Sequence, residues 1–144
     1  MFDMDYKFHH IGIATNDLEQ TASILSMFGY VSEDVQYDPL QNVNVRFLHH
    51  EQNPLIELIE GVDGASPVQN LLKKNGTCVY HLCYEVEDID EALSQMRENG
   101  YIPTCEKTKS VIEGRDVIFL YHPHNCLIEL VEGKKHDNFK KNPE

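Results

Sequence analysis

CLIELVEG (Cys126–Gly133) repeats, almost letter for letter, an earlier stretch, PLIELIEG (Pro54–Gly61). The likeness spreads outward. A shift of 72 lays VRFLHHEQNPLIELIEG (Val45–Gly61) on VIFLYHPHNCLIELVEG (Val117–Gly133). Phe47, Leu48, His50 and Asn53 then meet Phe119, Leu120, His122 and Asn125. A shift of 71 lays HIGIATNDLEQTASILSMFGY (His10–Tyr30) on HLCYEVEDIDEALSQMRENGY (His81–Tyr101). His10 meets His81, Asp17 meets Asp88, and Gly29 and Tyr30 meet Gly100 and Tyr101. One extra loop residue accounts for the change of shift. Two copies in register are a tandem duplication, not a solenoid.

Each copy reads as βαβββ. A short alternating strand (8–15, then 79–86) leads into a helix. The helix opens on an acidic cap region, with Asn16 and Glu87 near the starts, and ends before Gly29 or Gly100. Leu18, Ala22 and Leu25, and Ile89, Leu93 and Met96, give each helix an apolar core-facing stripe. A less defined strand near 31–37 and 102–107 follows, then strands over 43–49 and 115–121, then 54–60 and 126–132. The pattern predicts one domain over 1–144. Module one covers about 8–61 and module two about 79–133. A joining helix lies at about 66–75, with Ser66 as N-cap and Pro67 at the first helical position. A polar tail, 134–144, closes the chain.

The net charge of −12 argues against nucleic-acid or anionic-membrane partners, because the protein as a whole repels phosphates. Cys78, Cys83, Cys105 and Cys126 form no C-x-x-C pair. There is no secretory h-region and no apolar run near 18 residues. These features predict a reduced, cytoplasmic protein with structural thiols.

Strand alternation sorts the faces. Ile11 and Ile13 oppose His10, Gly12 and Ala14; Leu82, Tyr84 and Val86 oppose His81, Cys83 and Glu85. Ile56 and Leu58 oppose Leu55, Glu57 and Ile59; Ile128 and Leu130 oppose Leu127, Glu129 and Val131. The wholly apolar faces suit the helices. The other faces carry His10, Glu57, His81 and Glu129, one histidine and one mid-strand glutamate per module. Glu60 and Glu132 also repeat and read as solvated strand ends. A lone buried histidine is more often a satisfied core residue, and a lone strand glutamate usually faces water. Four such residues paired by duplication are different. Two carboxylates on a part-apolar surface are costly unless paired, and a cation removes that cost. Two imidazoles and two carboxylates suit one divalent ion per chain: Zn, Ni, Co, Mn or Fe.

At HHIGIATNDLEQT, SPVQNLLKKNG, YHLCYEVEDIDEAL, FLYHP and LIELVE the chain resembles the vicinal oxygen chelate (glyoxalase/bleomycin resistance/dioxygenase) superfamily, within it most the methylmalonyl-CoA epimerases. The resemblance implies an α+β glyoxalase fold: two tandem βαβββ modules forming a curved mixed sheet around a central metal cavity. It carries the metal-ligand role onto His10, Glu57, His81 and Glu129, and the catalytic acid/base role onto Glu129. It places a second acid/base glutamate in the loop before strand 43–49. Pro39 and Gln41 match that loop, but Leu40 stands at the glutamate's position. Asp38 and Glu113 are then the loop carboxylates to consider, although an Asp before Pro also suits a turn. His50 and His122 read as strand ends. Arg46 or Arg115 could receive an anionic substrate.

The implied function is a divalent-metal-dependent isomerase or epimerase. It would act on a small carbonyl or thioester substrate through an enolate. One alternative is a glyoxalase I-type lyase, which isomerises a hemithioacetal; another is a non-catalytic small-molecule binding protein of the same fold. A ring-cleaving dioxygenase fits less well, since iron oxygenases typically keep three positions open. Dimers are common in the resembling family, so a homodimer is a further expectation.

Overall fold

The computed structural model describes residues 5–64 and 66–133; the polar tail at 134–144 lies outside them. Module one runs β1 (Lys7–Ala14), α1 (Leu18–Ser26), β2 (Val31–Ser32), β3 (Gln36–Asp38), β4 (Val43–His49) and β5 (Ile56–Gly61). The linking helix α2 (Gln69–Asn75) follows. Module two runs β6 (Cys78–Val86), α3 (Ile89–Glu98), β7 (Ile102–Pro103), β8 (Thr108–Lys109), β9 (Asp116–Tyr121) and β10 (Leu127–Glu132). All the strands join one curved, open mixed sheet in the order β2-β4-β5-β1-β6-β10-β9-β7, with β3 on β4 and β8 on β9. This is the glyoxalase fold that the duplicated pattern and its resemblance imply.

The two modules meet where β1 pairs antiparallel with β6. Ile11 sits opposite Leu82, its own counterpart in the repeat. The pseudo-twofold axis therefore passes through this pair. On the helix-bearing face, Leu18, Ala22, Tyr30, Leu48, Ile56 and Leu58 form one core cluster. Ile89, Ala92, Ile118, Leu120, Ile128 and Leu130 join Val86 in its copy. Leu48, Leu58, Leu120 and Leu130 are fully buried, each contributing about 1.5–3 kcal/mol of burial.

Several local readings shift. Within the acidic cap regions, Asp17 and Asp88, the residues after Asn16 and Glu87, are the helix N-caps; Asp17 accepts from Gln20 N at 3.0 Å and Asp88 from Asp90 N at 2.8 Å. An aspartate oxygen at that position reaches the orphan N–H groups of the first turn. Glu132 is buried, not solvated, and accepts from Ile89 N at 2.9 Å. Glu60 likewise bonds the backbone of Leu18, the first residue of α1. The final strand of each module is thus tied to the start of that module's helix. The joining helix begins at Gln69, two residues later than Ser66 as N-cap and Pro67 as first helical residue suggest. Ser66 still accepts from Val68 N, at 3.3 Å, but in a turn before the helix. The ill-defined strand is split in both modules. From Ser32↔Leu48 to Gln36↔Val45, and from Pro103↔Leu120 to Thr108↔Val117, the register slips, as an outward bulge at a sheet edge requires.

Candidate metal centre

Pairing register brings the four predicted residues together. Reading across β5, β1 and β6, one row runs Glu57, Gly12, His81. Reading across β1, β6 and β10, its twofold mate runs His10, Cys83, Glu129. In each row an imidazole and a carboxylate flank one small residue and lean over it. Gly12 has to be glycine: a Cβ there would lie 2.5 Å from Nδ1 and 2.7 Å from Nε2 of His81. A glycine in mid-strand often marks such a close approach.

The donor atoms converge. Nε2 of His10 lies 3.0 Å from Oε1 of Glu57 and 3.3 Å from Oε1 of Glu129. Nε2 of His81 lies 3.0 Å from Oε1 of Glu129 and 3.5 Å from Oε1 of Glu57. The two Nε2 atoms are 3.1 Å apart. Zn-type bonds of about 2.0–2.2 Å put neighbouring ligand atoms about 3.0–3.5 Å apart. The four donors therefore fit one ion between them, and they form a group able to hold a metal. Oε1 of Glu129 is buried against both imidazole Nε2 atoms, so a proton on an imidazole or a cation has to satisfy it.

All four side chains are buried: His10 0%, His81 1%, Glu129 3% and Glu57 6% exposed. Phe47 and Phe119, themselves twofold mates, stand edge-on to His10 and His81 with ring centres 5.7 and 5.3 Å away. Burial by itself would lower both histidine pKa values. Hydrogen bonds to Glu129 and Glu57 overcome this at His10, which is raised. The charge of Glu129 and hydrogen bonds to both carboxylates push His81 up to about 9. Burial would raise the two glutamates; instead the histidines hold both low, His10 first for Glu57 and His81 first for Glu129. Without a metal the carboxylates keep protons on the imidazoles. A divalent cation can take the place of those protons.

One support lies outside the repeat. Nδ1 of His9 is 2.8 Å from Nδ1 of His10, and Nε2 of His9 is 3.3 Å from Nη2 of Arg115. His81 has no such partner for Nδ1 among the described residues. Sequence reading missed this because His9 aligns with Tyr80 and carries no duplicated signal.

Other candidates fall elsewhere. His50 and His122 are structural: each Nε2 bonds a carbonyl at a helix end, Phe28 O or Asn99 O, at 3.0 Å. Their rings fill the space beside Gly29 and Gly100, whose φ values are +94° and +92°. Arg46 pairs with Glu19 and the Glu33 carbonyl, and Arg115 is engaged with Glu85 and the Glu132 carbonyl. Neither is poised for an anionic substrate. Asp38 is buried beside the centre, but its oxygens accept from Leu40 N, Gln41 N and Gln41 Nε2, so it is a turn residue. Glu113 is turned to Arg115, 3.5 Å away. Leu40 is 63% exposed.

The glyoxalase/bleomycin resistance protein/dioxygenase superfamily model matches residues 9–119. The ethylmalonyl-CoA/methylmalonyl-CoA epimerase of Cereibacter sphaeroides is 34% identical over 130 residues, covering 86% of this chain and 96% of that protein. The mitochondrial methylmalonyl-CoA epimerase of Homo sapiens is 33% identical over 129 residues, covering 88% and 72%. A solved variant of Streptomyces coelicolor methylmalonyl-CoA epimerase, in complex with 2-nitronate-propionyl-CoA, superposes with a TM-score of 0.77 at 26% identity, covering 88% and 96%. Duplicated modules, a shared sheet and matches along nearly the whole length agree, and the chain belongs to the glyoxalase/bleomycin resistance protein/dioxygenase superfamily.

Proposed function

We propose that this chain is a divalent-metal-dependent epimerase-type enzyme that moves the proton beside a carbonyl or thioester. The observation that carries the reading is the convergence of four donors: each imidazole Nε2 lies 3.0–3.5 Å from the other and from both carboxylate oxygens. His10, Glu57, His81 and Glu129 would hold one ion. When bound, such an ion polarises a carbonyl oxygen and stabilises negative charge that develops on it. Glu129 would exchange the proton at one face of the carbon beside the carbonyl, and inversion needs a second group at the other face. The neighbouring histidines hold it ionised, so it carries no proton before the transfer. Phe47 and Phe119 keep water from the histidines. The relatives act on acyl-CoA thioesters by name, which supports a thioester of that kind as substrate. Four free cysteines suit a reducing, cytoplasmic setting.

A second reading rests on Leu40. Inverting a centre needs proton delivery at both faces of a planar enolate, and Leu40 offers none. Proton transfer at one face suffices for a lyase of the glyoxalase I type. The test is metal content followed by solvent deuterium exchange. About one metal per chain in the untagged protein, lost in His81→Ala and Glu129→Gln, is expected. Deuterium entering methylmalonyl-CoA supports the epimerase; turnover of the methylglyoxal–glutathione hemithioacetal alone supports the lyase. A folded protein that stays metal-free after dialysis against Zn, Ni, Co and Mn removes both.

A further inference from the structure

The space beside the four buried ligands is about 10 Å³, enough for about one water. A carbonyl substrate cannot enter it, so part of the wall has to move. Two hairpin tips that the duplication relates contribute to that wall. β3 and β4 turn through residues 39–42, and β8 and β9 turn through residues 111–114. Asp38 and Ser110 are equivalent, 72 residues apart, and each caps its own tip. Asp38 Oδ1 accepts from Leu40 N at 3.0 Å, and Ser110 Oγ accepts from Ile112 N at 3.1 Å. Asn42 and Gly114, also equivalent, both take positive φ, 56° and 70°. Yet the tips lie differently. Leu40 is 63% exposed, while its counterpart Ile112 is 8% exposed. Ile112 packs with Phe47, Cys83, Val117 and Val131 and lines the space beside Glu57, His81 and Glu129. Glu113 also takes positive φ, 57°, where its counterpart Gln41 does not, so equivalent tips with the same caps occur in two backbone forms within one chain, one swung out and one folded in.

We propose that the module-two tip, Val111–Gly114, is a gate over the four ligands, with Ile112 the plug that an incoming substrate displaces. This rests on reading the four ligands as the reaction centre. Arg115 anchors the base of the hairpin: Nη1 donates to the Glu132 carbonyl at 3.2 Å and lies 3.4 Å from Glu85. Ser110 N also donates to Arg115 O at 3.0 Å. These bonds are outside the moving tip, so it can lift while β8 and β9 stay paired. Gly114 has open space on every side of a would-be Cβ. The resistance is the apolar burial of Ile112 together with the Glu113–Arg115 contact at 3.5 Å and the bond from Arg115 N to Ile112 O at 3.0 Å, local terms that can yield without global unfolding.

Cys83, fully buried in the same cluster as Ile112, is a natural probe. In a chain carrying Cys78→Ser, Cys105→Ser and Cys126→Ser, its modification by methyl methanethiosulfonate reports opening. The gate gives a rate almost independent of urea below the unfolding transition. Ile112→Ala raises that rate by about tenfold or more, Ile112→Val raises it less, and Leu40→Ala on the outer tip leaves it unchanged. A rate that climbs with urea along the global unfolding curve overturns the gate, as does an equal response to Ile112→Ala and Leu40→Ala. The readout needs neither metal nor substrate. A gate that opens in a protein unable to bind metal would therefore survive the loss of the proposed function.

Discussion

His81 lies directly over Gly12, and that contact sets a strict size limit. Gly12→Ala puts a methyl group where the imidazole sits. The ring has to leave, because all three nearest atoms to that methyl belong to the His81 imidazole. We expect metal affinity to fall by about 10–100-fold, the range seen when ligand orientation is lost, while the helices persist. Competition with a chromophoric chelator, alongside far-UV circular dichroism, checks this. An unchanged affinity would show that His81 is not a ligand. Protonation gives a second prediction. His81 titrates near 9 in the metal-free fold, above its usual 6.5, so its charged form stabilises that fold. The contribution is complete below about pH 6.5 and disappears as pH rises through about 9. Glu57 and Glu129 are shifted down from 4.5, so their contribution is present above that value and is lost as pH falls below it. Metal must displace the histidine protons, so its apparent affinity should rise with pH up to about 9, by about tenfold per unit for each proton released. Isothermal titrations at a series of pH values give the slope; a flat profile contradicts the assignment.

At the scale of elements, the duplicated acidic residues fasten helices to strands. Asp88 binds two N–H groups of the first turn of α3, and Glu132 binds a third. Asp88→Ala should cost about 1 kcal/mol, as lost N-caps do. Glu132→Leu should cost about 1–3 kcal/mol, because it leaves the buried Ile89 N–H without a partner. Urea unfolding curves measure both, and metal content should not change in either. The helices and main strands were legible because their periodicities and caps are local. The glutamates at the strand ends were not. A strand-terminal glutamate looks solvated until the helix N-terminus that it caps is placed beside it. The split edge strands escaped for a similar reason: bulges follow from pairing register, not from composition.

At the scale of the molecule, each module supplies two of the four proposed ligands, and the β1–β6 seam joins them. Metal should therefore stabilise the seam as a whole. At a free metal concentration about 100 times Kd, linkage adds about 2.7 kcal/mol to the unfolding free energy, and a chelator removes it. Thermal unfolding with Zn, Ni, Co or Mn, then with excess chelator, tests this; an identical midpoint under all conditions would rule out a metal-bridged seam. Among the described residues no helix is long and apolar enough to cross a membrane. The sequence by itself determined the duplication, the module pattern and the four candidate ligands, because repeat register and two-residue alternation are written along the chain. Tertiary structure alone decided that the nitrogens and oxygens of those ligands meet at 3.0–3.5 Å. It also decided that His9 supports one ligand only, and that Ile112 lies folded in while Leu40 lies out. Distances across a seam and the positions of two equivalent loops depend on how the modules pack, which no local pattern encodes.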